Sequence, residues 1–341
     1  MPQKHPNHPP YVPIIKWQLW EQAALRETRP DVAPFVLPCV EVRDSKQHES
    51  LMVKLPDVWA PLSLIDYANP QGRLAGGRAK ELGDFLTMAH QKQLMVSPVL
   101  HPADAVAMPA DLAKRVQLFP EVVLRLRTGG LSISQASVDL VQQARNKLGA
   151  HDKVSRLIVD LGVTPEVWSD STIADLVAGI VDLKAQGFAH VHLASGAFPE
   201  SLANVTTVAT PARRDWQLWR EVNAQAVGQQ LGFSDYGPLS PRWTEEVLTR
   251  RGGRVVIRYA RDQDWLVLRA DGNKKAHSIA ISNLMVGPYG ASFKGAAFSY
   301  GDKLIADRAD PAVPEKNKKG GQIHIAEYWT HHMAMVVKEQ Y

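Results

Sequence analysis

The chain has 341 residues, enough for a barrel of about 250 residues with an appended segment. Hydrophobic residues make up 45% and charged residues 22%, an ordinary globular composition that excludes a disordered or fibrous protein. The net charge is +4, and no run of about 18 apolar residues occurs, so the sequence predicts no membrane-spanning helix.

The N-terminal segment, Met1–Pro10, is polar and rich in proline, and we predict that it is flexible. It has no apolar signal core, which argues against secretion by the general route. The chain has a single cysteine, Cys39, so it forms no intrachain disulfide. Both features favour a protein of the reducing cytoplasm.

Eight short runs rich in apolar and β-branched residues follow one another along the chain. Most are nearly continuous apolar stretches, as expected of parallel strands covered on both faces. The runs are Tyr11–Lys16, Phe35–Val42, Pro61–Asp66, Leu94–Leu100, Glu121–Arg127, Arg156–Leu161, Ala189–Ser195 and Leu231–Tyr236.

Helical patterns lie between the strand candidates, at Trp20–Glu27, Leu74–Gln91, Asp111–Phe119, Ile133–Leu148, Thr172–Leu183 and Asp215–Val227. Gly149 is placed to end the fourth of them, and Thr172 with Asp175 is placed to cap the start of the fifth.

The alternation of strand and helix candidates predicts a (β/α)8, TIM-like barrel. The main competitor is an open doubly wound sheet, which often has a glycine-rich turn after its first strand. Here Lys16-Trp17-Gln18 occupies that place.

We assign residues 11–250 to the barrel and residues 251–341 to a C-terminal α+β extension packed on it. The extension begins with Arg254–Ala270, two β-rich runs around a polar turn that predict an antiparallel hairpin. Pro311–Gly321 is the best loop candidate of the chain, and Ile323–Val337 has the pattern of an ordered segment.

The basic residues are unevenly distributed. Residues 1–241 hold 23 Lys and Arg against 24 Asp and Glu, whereas residues 242–341 hold 16 against 11. The excess indicates either a patch for an acidic partner or nucleic acid, or a soluble surface that is merely basic. Because the excess is modest beside that of dedicated nucleic-acid binders, nucleic acid is the weaker expectation.

Polar residues stand at the ends of most predicted strands, where barrels of this class form their ligand sites. The candidates are Lys16, Glu41, Asp66, Arg125, Asp160, Ser195, Asp235 and Tyr236. One interpretation is a cavity for an anionic or polyhydroxylated ligand, in which Lys16 and Arg125 supply positive charge. The carboxylates would then act as acid or base, or hold a divalent metal. The other is a network of salt bridges that closes the top of the barrel.

Familiar catalytic motifs are missing. Cys-x-x-Cys, His-Glu-x-x-His and Walker sequences do not occur, and the absence of Gly-x-Ser-x-Gly excludes a nucleophile-elbow hydrolase. His331 and His332 are adjacent, so only one can face a given site, and the pair alone does not predict a metal site. The sequence assigns no catalytic residue and no cofactor.

A set of short motifs occurs in order along most of the chain. The set comprises Tyr11-x-Pro13-Ile14-x-Lys16, Glu21, Glu41, Arg125, Asp160, Ser195 with Phe198-Pro199, Asp235-Tyr236, Arg258-Tyr259, Trp265, Ser299-x-Gly301-Asp302, Trp329 and His331-His332. In this order the chain resembles the phage beta protein family. The resemblance adds Arg258, His331 and His332 to the candidate ligand-binding residues.

The resemblance implies a mobile-element setting: a prophage, a satellite phage or a bacterial defence island. Some members resemble the middle component of a small cassette, beside a lethal gene product. Our first hypothesis is therefore an antitoxin-like immunity component that restrains a toxic partner encoded nearby and senses a ligand in the barrel mouth. The alternative is a TIM-barrel enzyme acting on a phosphorylated or nucleotide-like substrate.

Overall fold

The computed structural model describes residues 8–43, 45–68, 72–75, 77–149, 153–226, 230–242 and 254–341. The first seven residues of the predicted flexible N-terminus lie outside the described residues, and so does the predicted boundary at residue 250. Within the described part, no helix is long and apolar enough to cross a membrane.

Eight parallel strands close into a barrel, which confirms the predicted (β/α)8 fold. The barrel closes where the first strand pairs with the last, Val12 opposite Ser234. The strands are β1 (Val12–Lys16), β2 (Cys39–Glu41), β3 (Ser63–Asp66), β4 (Val96–Leu100), β5 (Val123–Arg127), β6 (Arg156–Val163), β7 (His190–Gly196) and β9 (Gly232–Asp235). Each lies within or overlaps one of the eight predicted runs.

Helices follow the strands and cover the barrel. They are α1 (Leu19–Arg26), α2 (His48–Val58), α3 (Arg78–Gln91), α4 (Pro102–Val106), α5 (Ala110–Val116), α6 (Gln135–Leu148), α7 (Asp170–Ala185) and α8 (Arg214–Gln225). Gly149 ends α6 in the left-handed region, at φ +71°, as predicted. The predicted cap of α7 is wrong: Ser169, not Thr172, is the capping residue, and its hydroxyl accepts from the amide of Thr172.

Side chains alternate between the lumen and the outer surface of the barrel. One buried cluster fills the lumen and is built from alternate residues of nearly every strand. Its strand residues are Val12, Ile14, Cys39, Leu64, Val99, Val123, Ile158 and Ala194. Residues of the opposite parity pack outward against the helices, among them Ile15, Val40, Ile65, Leu124, Leu157, Leu193 and Phe233. This parity decides which strand-end residues can reach the barrel mouth.

The C-terminal extension contains the predicted hairpin, β10 (Val256–Ala260) paired antiparallel with β11 (Trp265–Arg269). A third strand, β8 (Val208–Ala209), comes from the segment assigned to the barrel and pairs with β11. Helices α9 (Lys275–Val286), α10 (Tyr300–Ala309) and α11 (His324–Met335) complete it, and α11 accounts for the ordered segment predicted at Ile323–Val337. The predicted loop Pro311–Gly321 contains only a short 3-10 turn at Glu315–Asn317 and the start of another at Gly321.

Candidate functional site

The centre of the barrel mouth is the guanidinium of Arg125, which is fully buried. Its Nη1 donates to Glu41 at 3.0 Å and to Asp66 at 2.7 Å. Its Nε and Nη2 donate to Asp160 at 3.0 and 2.8 Å, and Nη2 also lies 2.7 Å from the hydroxyl of Tyr236. Residues from β2, β3, β5 and β6, with Tyr236 directly after β9, therefore meet at one point, because all have the parity that faces the lumen.

Further hydrogen bonds, from backbone amides and from two other side chains, hold the carboxylates around this arginine. Asp66 accepts from the backbone amide of Ala68 and from Nη2 of Arg127, both within 2.8 Å. Asp160 accepts from the amide of Gly162 at 3.0 Å and from the Tyr236 hydroxyl at 2.7 Å. The site is thus a closed network in which donors and acceptors satisfy one another.

Arg125 and Arg127 shift the pKa values of the three carboxyls in different directions. Burial by itself would raise the pKa of Asp66, but Arg127 and Arg125 outweigh it and bring that pKa to about 2. The same two arginines lower the pKa of Asp160 against the effect of its burial. At Glu41 burial prevails over Arg125, and the pKa of this carboxyl is raised. Glu41 is therefore the least compensated acid of the network.

The geometry does not favour the divalent-metal interpretation of these carboxylates. Glu41, Asp66 and Asp160 converge on a guanidinium, so a positive charge already occupies the point where an ion would lie. Among the residues that the structure describes, no three His, Cys, Asp or Glu side chains form a group suited to a metal ion.

Two predicted mouth residues, Ser195 and Asp235, do not face the mouth. Ser195 lies two residues after Leu193, and Asp235 lies two residues after Phe233. Leu193 and Phe233 pack outward against the helices, so the side chains of Ser195 and Asp235 also point outward from the barrel. This corrects the expectation that they line the lumen. The physical reason is the two-residue period of a strand, in which a shift of one residue reverses the face.

Asp235 instead joins the barrel to helix α11. Its Oδ2 lies 2.7 Å from Nε2 of His332, and its Oδ1 accepts from the Tyr11 hydroxyl at 2.5 Å. All three side chains are fully buried. The carboxylate is thus a structural link between the first strand, the last strand and the C-terminal helix.

The neighbouring histidine, His331, faces the other way. Its Nδ1 lies 2.9 Å from Oδ2 of Asp302, and its Nε2 lies 2.9 Å from the carbonyl of Ala260. Its ring stacks on Tyr259 with centroids 3.7 Å apart. As expected for adjacent residues on a helix, the two histidines face different parts of the protein. His332 contacts the barrel, and His331 contacts the extension.

A small cleft, of about 90 Å³, opens beside the Arg125 network and contains two predicted residues, Lys16 and Arg258. Gln18 and Glu21 of the segment after β1 also line it. Burial lowers the pKa of Lys16, while Glu41 and Glu21 act in the opposite sense. Burial raises the pKa of Glu21 to about 7, although the backbone and Lys16 pull it down.

Glu21 is a site residue that the strand-end analysis missed, since it lies on α1 and entered only through the family motif. A larger cleft, of about 580 Å³, runs along α8 and is lined by Gln217, Trp219, Arg220 and their neighbours. It holds none of the predicted residues.

Comparison with known proteins agrees with the motif order along the chain. The sequence model of the Beta protein family matches residues 11–338. The chain belongs to the Beta protein family. The match confirms the resemblance drawn from the motifs, and it supports the mobile-element setting that the resemblance implies. No curated protein matches this family member.

Solved structures similar to this Beta protein family member are distant. One, from Toxoplasma gondii ME49, is described as a deoxyribose-phosphate aldolase; it is 12% identical, with a TM-score of 0.36 over 67% of this chain and 89% of that chain. Another is a xylose isomerase domain protein from Planctomyces limnophilus, 11% identical, with a TM-score of 0.28 over 82% and 87% of the two chains. Similarity at this level carries no argument about activity.

Proposed function

We propose that this protein is an antitoxin-like immunity component of a mobile-element cassette, which restrains a toxic partner by binding it. The observation that carries the proposal is the state of Arg125. This residue looks like the centre of an active site in sequence, but it is fully buried and its donors are engaged by three carboxylates and a tyrosine hydroxyl.

A closed network of this kind suits a scaffold better than a catalyst. A substrate at Arg125 would have to displace carboxylates that are themselves buried, which leaves uncompensated charges in a low-dielectric interior. Catalytic groups instead face the place where the reacting atoms lie. The mouth therefore supports the second interpretation of the strand-end residues, in which salt bridges close the top of the barrel.

The rim around the mouth offers apolar side chains to a partner. Leu19, at the start of α1, is 64% exposed, and Val163, at the end of β6, is 47% exposed. Val167, in the loop after β6, is 84% exposed. All three lie on the face at the carboxyl ends of the strands. We propose that a partner covers this face and buries the three apolar side chains together.

The alternative, an enzyme that acts on a nucleotide-like substrate at the barrel mouth, has less support from the cleft beside that mouth. This cleft, which contains Lys16, has a volume of about 90 Å³. Sites for whole small molecules usually measure about 300–1,000 Å³. A space of this size takes one functional group, not a nucleotide.

The proposal predicts a stable complex with the protein encoded beside this one. The wild type should retain the neighbouring gene product on an affinity column through washes at moderate salt. Val167→Glu places a charge on the rim, and it should release that partner. Val53→Glu is the matched control, since Val53 is 58% exposed on α2, on the side wall of the barrel. Clean separation of the two wild-type proteins would contradict the proposal.

A further inference from the structure

The small cleft beside β1 contains two buried polar atoms without partners among the described residues. One is the carboxylate oxygen Oε2 of Glu21, a residue that is only 3% exposed. The other is Nε of Arg258, a donor. Buried polar groups are nearly always hydrogen-bonded, so an unmet acceptor and an unmet donor in one cleft indicate a ligand that offers both.

Arg258 is held rigidly in this cleft. Its guanidinium lies between two aromatic rings, 4.7 Å from the centroid of Phe198 and 5.1 Å from that of Tyr328. Its Nη1 donates to the carbonyl of Pro238 at 2.5 Å. A guanidinium fixed by stacking loses little side-chain entropy on binding, and its planar donors match the oxygens of an anion.

The other lining residues carry mostly positive charge. Lys16 ends β1, and Arg242 lies on the opposite rim, 3.1 Å from the exposed carboxylate of Glu200. Three cations therefore face two carboxyls. One of these is Glu21, whose pKa burial raises to about 7, so at pH 8 its carboxyl is mostly ionised and accepts a hydrogen bond.

The position in the fold points the same way. Pro199 and Glu200 follow β7, Leu239 and Ser240 follow β9, and Gln18 follows β1. The cleft thus lies where the seventh, eighth and first strands of the barrel end. The loops after the seventh and eighth strands are a recurrent place for phosphate groups in barrels of this class.

We propose that this cleft binds a phosphate group, with Arg258 and Lys16 donating to its oxygens and Glu21 accepting from its P–OH. The site goes beyond the restraint of a partner and does not depend on it. The group carries the required pair of functions: its charged oxygens accept, and its remaining hydroxyl donates. A sulfate ion has the same shape and charge but no hydroxyl, so it leaves Glu21 unmet.

Calorimetric titration of the purified full chain at pH 8 tests this, with inorganic phosphate and with sulfate as probes. We expect phosphate to bind at least about tenfold more tightly than sulfate, because one hydrogen bond to a charged group changes the affinity by about this factor. Glycerol 3-phosphate, which has no P–OH at this pH, forms a third arm. Binding of free phosphate alone identifies the inorganic ion as the ligand. Comparable binding of the ester would contradict the assigned role of Glu21, because the ester has no P–OH to donate to that carboxylate.

Two variants keep the test decisive. Glu21→Gln should reduce the preference for phosphate over sulfate to less than about threefold, because an amide does not discriminate between the two anions in this way. Arg258→Met should weaken phosphate binding at least about tenfold. Arg261→Met is the control, since Arg261 follows the same strand, pairs with Asp264 and lies outside the cleft.

Two results would overturn the site: no heat of binding with phosphate, or equal affinities for phosphate and sulfate in the wild type. Either can occur in a protein that still holds its partner, so failure of this site is distinguishable from failure of the proposed restraint. A near-ultraviolet circular dichroism spectrum of each variant shows that it is folded.

Discussion

Arg125 donates twice to the same oxygen of Asp160, from Nε at 3.0 Å and from Nη2 at 2.8 Å. That oxygen also accepts from the hydroxyl of Tyr236 at 2.7 Å. One carboxylate oxygen therefore concentrates three donors in the lumen of the barrel, and the interactions link β5, β6 and the end of β9. The charge of Arg125 is what makes this arrangement of buried acids stable.

Replacing Arg125 should therefore damage the fold. In Arg125→Met the buried carboxyls of Glu41 and Asp160 lose the arginine that contacts them, and Asp66 keeps only Arg127, so we expect the free energy of unfolding to fall by about 3–5 kcal/mol. Urea denaturation followed by tryptophan fluorescence measures it. Arg29→Met is the matched control: Arg29 is an exposed partner of Asp31, and its loss should change stability by less than about 1 kcal/mol. Equal midpoints for Arg125→Met and the wild type would show that the network contributes nothing.

Glu21 should make stability depend on pH. The pKa of Glu21 in the folded protein, about 7, lies above the ordinary value of 4.5, so the ionised carboxylate destabilises the fold. This loss of stability is absent below about pH 4.5, grows as the pH rises and is complete above about pH 7. Removing the charge in Glu21→Gln should therefore raise stability relative to the wild type by about 3 kcal/mol more at pH 8 than at pH 4.5. Urea titrations at both pH values measure this difference. A difference that does not change with pH would mean that the carboxyl ionises normally.

The Tyr11 hydroxyl donates to buried Asp235, which also binds His332. Tyr11→Phe leaves the acceptor short of one donor, and we expect a loss of about 1.5–3 kcal/mol in the free energy of unfolding. Tyr300→Phe serves as the comparison, since the Tyr300 hydroxyl accepts from an exposed lysine, Lys319. Thermal and urea unfolding should rank the two variants in that order; the reverse order would remove Asp235 from its linking role.

Gly237, two residues after Asp235, has a φ of +54°. A Cβ atom there would lie 2.5 Å from the ring of buried Trp329 on α11. Gly237→Ala therefore adds both backbone strain and a clash, and we expect it to lower the free energy of unfolding by more than about 1 kcal/mol. Gly129→Ala, also at positive φ but in open space, isolates the contribution of the clash. If both substitutions cost the same, α11 does not pack against this turn as described.

The order of strands could be read from the sequence because most strands are nearly continuous apolar runs between turns, as at Leu94–Leu100. Such runs signal burial on both faces whatever the details of packing. The same property hides the register, since a strand that is apolar on both sides shows no alternation. Ser195 and Asp235 were therefore placed at the mouth, whereas Tyr236, one residue further, is the one that reaches it.

Glu21 shows a second limit. Its position on the eight-residue helix α1 predicts an ordinary solvated acid. Its burial comes from α11, which is about three hundred residues away in sequence and packs against α1. Arg258 likewise reaches the cleft from the hairpin of the extension. Contacts between elements so far apart leave no periodic signal in a single sequence.

Growth of cells that carry the neighbouring, toxic gene under an inducible promoter tests the proposed restraint most directly. Each strain would also express the wild type, the rim variant Leu19→Glu/Val167→Glu, or the control Val53→Glu/Val181→Glu at equal soluble levels. Val181 is a matched control residue because it is 39% exposed on α7, on the side wall of the barrel. The account predicts growth with the wild type and the control and arrest with the rim variant, because charges on the docking face expel the partner. Full protection by the rim variant, or arrest with the wild type, would contradict it.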